Sequence, residues 1–191
     1  MTKKDAKQNI IHAASYLFQS QGYHATGINQ IIEVSGCPKG SLYYHFPNGK
    51  EEIVLAFLES TKINAAEEMQ EIFDKYPIKM AVAYYVKHIA TQVMDSNRKA
   101  YRIGLVALES SSISEAVRQK CIETFDYWKA IFQGYFAKAG YSEKDSESLA
   151  DLFIVSMEGN LTISVTYQDS SIMLKWLEQF LIIMDTYHPS H

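Results

Sequence analysis

The chain has 191 residues, 47% of them hydrophobic and 21% charged, with four prolines, which is enough for one large or two small globular domains and argues against disorder. Two isolated cysteines, Cys37 and Cys121, rule out a disulfide framework and offer no zinc spacing. The net charge of −4 speaks weakly against nucleic acid, but residues 1–50 hold five lysines against Asp5 and Glu33, a net of +3, leaving −7 for the remainder.

The opening MTKKDAKQNI turns amphipathic at once instead of forming an apolar leader, and apolar runs such as FLIIM at 180–184 are far too short to span a bilayer. Both point to a cytoplasmic protein. Ile10, Ala14, Leu17 and Phe18 recur at helical steps, and Gly22 ends that helix. Thr26 fits as N-cap of a short helix carrying Ile28, Ile31 and Ile32, which stops near Gly36. Pro38 suits the first position of a third short helix reaching about His45. After the turn Pro47-Asn48-Gly49, residues 50–76 read as one long helix. Pro77 opens the next, to about 95; further helices are expected at about 98–109 and 113–138. Ser142 with Asp145 caps another, and the last runs over 172–187 after a break at Gln168–Ser171. No segment alternates with period two. The expected fold is all-α with about nine helices, divided into a head at 1–47 and a body at 48–191.

Two short helices joined by a glycine-containing turn and followed by a long helix describe a helix-turn-helix. Phe18, Ile28, Ile31, Leu42 and Phe46 can close its core, which leaves Lys39, Ser41, Tyr43, Tyr44 and His45 on the outer face of the third helix. Pro38 starts that helix, and Gly40 permits close approach to a groove floor. Lys39 can donate to guanine, and Ser41 can serve a base edge or a phosphate. The two tyrosine hydroxyls and His45 can reach flanking phosphates. Thr26 and Lys50, at the starts of the second and fourth helices, are placed to grip backbone on either side. Double-stranded DNA is thus the expected partner.

The stretch from Ile10 to Ile53, around FQSQGYHATGINQIIEVSGCPKGSLYYHFPNGKEEI, resembles the N-terminal domain of the TetR family of repressors. VALESSSISEAVRQKCIETFDYWKAIF, MEGNLTISV and PNGKEE are similar to its LmrA/YxaF subgroup. The resemblance implies repression of efflux or catabolic genes, relieved by a small and often flat aromatic inducer such as a flavonoid or drug. It also implies a homodimer formed by the last two helices. Ile172, Trp176 and Phe180 lie on the apolar face of the final helix, and Ser156, Gly159 and Ile163 form a flatter stripe on the preceding one. Helices that line a ligand cavity in the family here carry Tyr84, Tyr85, His88, Tyr101, Phe125 and Trp128. Phe132, Phe153 and Met157 continue the set, and for each residue pocket and plain core fit equally well. Glu158 and Asn160 interrupt an apolar helix and could orient a ligand or bond within the protein.

No GxSxG, HExxH, phosphate loop or calcium loop is present, so an enzyme is not expected, nor a cofactor or metal; His188 and His191 at the C terminus are a weak lure. The alternative from another class is a small-molecule or lipid carrier that keeps the helix-turn-helix shape without DNA. Such a carrier has no use for Lys39 and two outward tyrosines.

Overall fold

The structure is a computed structural model describing residues 3–94 and 103–187. Nine helices and no strand occur among them. Tyr101, His188, His191 and the expected start of a helix at 98 lie outside the described residues.

Helix α1 covers Lys3–Gln21, α2 Ile28–Ser35 and α3 Lys39–His45. The long α4, Lys50–Phe73, is followed by α5, Ile78–Met94, and α6, Gly104–Ile113. Then come α7, Glu115–Lys138, α8, Glu143–Tyr167, and α9, Ser171–Thr186. The punctuation follows local chemistry. Gly36 ends α2 in the left-handed region at φ 63°, where a side chain would strain the backbone. Ser142 caps α8 by accepting from the Asp145 N–H at 3.1 Å.

The starts of α2 and α3 each lie one residue from where they are expected. The N-cap of α2 is Gly27, not Thr26, because the Gln30 side chain reaches back to the Gly27 N–H at 2.8 Å while the Thr26 hydroxyl turns away to donate to the Gly22 carbonyl. Pro38 is the N-cap of α3 and not its first helical residue; its carbonyl accepts from Ser41 and Leu42.

Packing divides the chain into two units. The described part of the first comprises residues 3–63 and 103–124, so it is larger than the three-helix segment and takes in α6 and the start of α7. Its core holds Ile10, Phe18, Ile31, Leu42, Phe46 and Phe57, all 1% exposed or less, with the Phe18 and Phe57 rings 5.7 Å apart. Ile28, expected in this core, is only half-buried. Glu59 and Lys62 of α4 pair with Lys120 and Glu123 of α7. Hydrogen bonding to the two lysines holds the Glu59 and Glu123 carboxyls below the usual range.

The second unit comprises residues 64–94 and 125–187. An aromatic cluster fills it: Phe73, Tyr85, Phe132, Phe153 and Phe180 are all buried. Helix α9 packs on α5 and α8, and the buried Tyr141 hydroxyl faces the Met184 carbonyl at 3.4 Å.

Candidate nucleic-acid interface

Helix α3 is held from beneath by Leu42, which is fully buried, and by Phe46 just past its end, 1% exposed. These anchors settle which way the rest of a seven-residue helix points. Pro38, Lys39 and Gly40 are exposed at its start, and Ser41 and His45 are half-buried at its flanks. Tyr43 is 41% and Tyr44 65% exposed, so both phenols face outward as the spacing predicts. The Lys39 ammonium lies 6.0 Å from the Tyr43 ring centroid, and the Tyr44 ring meets His45 edge-on at 5.0 Å. Lys7 of α1 adds a further cation, 5.9 Å above the Phe46 ring.

Thr26 and Lys50 are placed differently. Thr26 is 1% exposed and its hydroxyl donates to Gly22 O at 2.6 Å. Half-buried Lys50 donates to the carbonyls of Tyr23 and Thr26, each at 3.0 Å, and lies 4.0 Å from the Tyr23 ring centroid. Its ammonium is thus committed within the protein. Desolvation lowers its pKa, and the charge of Glu109 partly opposes that shift. Glu109 itself escapes a sequence reading altogether: it sits on α6, yet accepts from the backbone N–H of Tyr23, 86 positions away.

In the second unit the residues expected to meet a ligand fall into three environments. Trp128, Phe132, Phe153 and Met157 are buried, with Phe132 and Phe153 rings 4.5 Å apart; half-buried Phe125 meets Trp128 edge-on. Tyr84 is exposed and stacks on Tyr76 at 4.4 Å, while His88 pairs with Glu68. Asn160 spends its amide locally, donating to Ser156 O at 2.7 Å. Glu158 is half-buried, and burial pushes its carboxyl up to about 7. Among the residues expected at a subunit interface, Gly159 and Ile163 are exposed and Ser156, Ile172 and Trp176 half-buried. Phe180 is wholly buried against Phe153 and Trp176, so it serves the core of its own unit.

Among the described residues no three His, Cys, Asp or Glu side chains converge as metal ligands, and no helix is long and apolar enough to cross a membrane.

Comparison with known proteins matches residues 10–57 to the bacterial regulatory proteins of the tetR family, and residues 77–179 to the C-terminal domain of LmrA/YxaF-like transcriptional regulators. The HTH-type transcriptional regulator YxaF of Bacillus subtilis is 36% identical over 186 residues, covering 96% of this chain and 97% of that protein. LmrA of the same organism, also an HTH-type transcriptional regulator, is 32% identical over 177 residues, 91% of this chain and 94% of that one. A TetR transcriptional regulator from Legionella pneumophila shares the fold, with a TM-score of 0.83 at 24% identity over 95% of this chain and 97% of that chain. With an outward-facing third helix, one match over residues 10–57 and a second from residue 77 into the last helix, the chain belongs to the TetR family of transcriptional regulators, in its LmrA/YxaF-like branch.

Proposed function

We propose that the chain is a ligand-responsive transcriptional repressor, which binds a pseudo-palindromic operator as a homodimer in the cytoplasm and is released by a small aromatic inducer. The observation that carries this reading is the outer face of α3, where Lys39, Tyr43 and Tyr44 project from a helix anchored by Leu42 and Phe46. In a dimer, two such helices would enter successive major grooves about 34–36 Å apart. Lys39 reads a base edge; Tyr43, Tyr44 and His45 hold phosphates; Pro38, Gly40 and Ser41 let the helix start come close.

Subunits would pair through α8 and α9, where Val155 is 72%, Ile163 46% and Ile182 58% exposed, and where the bare Gly159 allows helices to approach. Apolar side chains on such a face favour burial against a second copy. An inducer of flat, flavonoid- or drug-like shape would act by binding better to a conformation whose heads are wrongly spaced, through a coupling of about 1–3 kcal/mol.

The test is selection of random double-stranded DNA by the purified protein at near-physiological salt. A recovered palindrome with half-sites one helical turn apart supports the repressor. No enrichment by folded, dimeric protein overturns it.

A further inference from the structure

The turn joining α1 to α2, residues 22–26, is held on both of its polar edges by opposite charges drawn from two other helices. On the donor edge, the Glu109 carboxylate of α6 accepts from Tyr23 N–H at 2.5 Å and His24 N–H at 3.4 Å, and the His24 ring meets Ser112 of the same helix at 2.9 Å. On the acceptor edge, the Lys50 ammonium of α4 donates to Tyr23 O and Thr26 O at 3.0 Å each and covers the Tyr23 ring. Hydrogen bonds to ionised groups are roughly twice as strong as neutral ones, so these contacts reinforce the turn's own bonds from Thr26 to Tyr23 O and Gly22 O. The fit is close. Gly22 sits at φ 83°, and a Cβ there would come within 2.7 Å of the Glu109 carboxylate.

The geometry of this turn governs the direction in which α2 leaves α1, and α3 follows after only three further residues, 36–38. We propose that Glu109 and Lys50 form a brace that sets the pitch of the α2–α3 pair, so that both act on operator recognition as positioning residues and not by touching DNA. This rests on the repressor reading above. It assigns Lys50 a task different from a phosphate grip, and it makes a residue of α6 part of the reading head.

Two measurements on the full-length chain decide the matter. The first is amide hydrogen exchange without DNA. Glu109→Ala should speed exchange at Tyr23 and His24 while amides of α8 stay protected; unchanged exchange at the two positions overturns the brace. Should Glu109→Ala fail to fold, Glu109→Gln keeps one acceptor oxygen and should give an intermediate rate at Tyr23. The second is affinity for the selected operator across a salt series. Glu109→Ala and Lys50→Met should each weaken binding about tenfold, the loss of roughly one charge-assisted bond, with the slope of log K on log salt unchanged. A slope shallower by about 0.9 for each subunit's Lys50 marks a lost phosphate contact and overturns its positioning role. Faster exchange with unaltered operator affinity overturns the positioning role of Glu109. If wild type binds no operator, the repressor premise fails, and the exchange experiment still upholds or overturns the brace.

Discussion

Phe132 and Phe153 stand with ring centroids 4.5 Å apart, and neither side chain has any exposed surface. Tyr85 and Phe73 close the same cluster, so a ligand using these two rings must part them. Phe132→Ala should therefore destabilise the fold by about 3–5 kcal/mol, read from denaturant unfolding. Trp128 is also buried, 4% exposed, but meets the half-buried Phe125; if it serves the proposed inducer, Trp128→Ala should blunt the response to inducer and leave operator binding intact. Global unfolding of that variant would return Trp128 to the core.

Lys39→Ala should cost about 1–3 kcal/mol at one base pair of each half-site and relax the choice there. Titrating a set of single-substitution operators checks this; undiminished discrimination removes Lys39 from base reading. Tyr43→Phe loses only a hydroxyl, so binding should weaken by the same factor for every sequence, and a sequence-selective loss would count against a phosphate contact.

Glu158 gives the stability a pH dependence of definite sign. Burial raises its carboxyl from 4.5 to about 7 in the folded chain. Between those values the folded state holds a proton that the unfolded state has released, so this group's contribution falls as pH climbs through that window. Glu158→Gln cannot ionise. It should gain on wild type above about pH 7 and show no such gain near pH 4.5, in paired thermal melts.

Gly159 lies exposed on α8 with open space where a Cβ would stand. Within one subunit a Cβ at this exposed position meets no neighbour, and the higher helix propensity of leucine should stabilise Gly159→Leu by a few tenths of a kcal/mol. At a dimer face the same side chain obstructs. Sedimentation velocity should show Gly159→Leu as a well-folded species shifted toward monomer, whereas an undisturbed dimer would place the interface elsewhere.

Much of this molecule can be read from residues close together in the chain. Gly22, Gly36 and Ser142 mark helix ends because their chemistry acts within one turn, and Leu42 and Phe46 fix the outward face of α3 by periodicity alone. Where a reading fails, the deciding partner is either a competitor nearby or a residue far away. Thr26 yields the N-cap to Gly27 because Gln30, three residues on, supplies the acceptor. The hydrogen bonds of Lys50 to Tyr23 O and of Thr26 to Gly22 O are likewise unannounced by the sequence around them. Phe180 carries no mark that tells an interface from the interior; only the arrival of Phe153 and Trp176 settles it. Glu109 is the extreme case, since no local pattern distinguishes it from any exposed helical glutamate.

The only two tryptophans of the chain, Trp128 and Trp176, both lie in the second packing unit, one buried and one half-buried among aromatic rings. Indole emission is therefore a reporter of the second unit alone, from Trp128 on α7 and Trp176 on α9. The DNA-reading head is spectroscopically dark at those wavelengths and carries only tyrosines and phenylalanines. A head that melts before the body would leave the indole signal flat while helical circular dichroism declines, so a comparison of the two traces reads whether the two halves unfold as one.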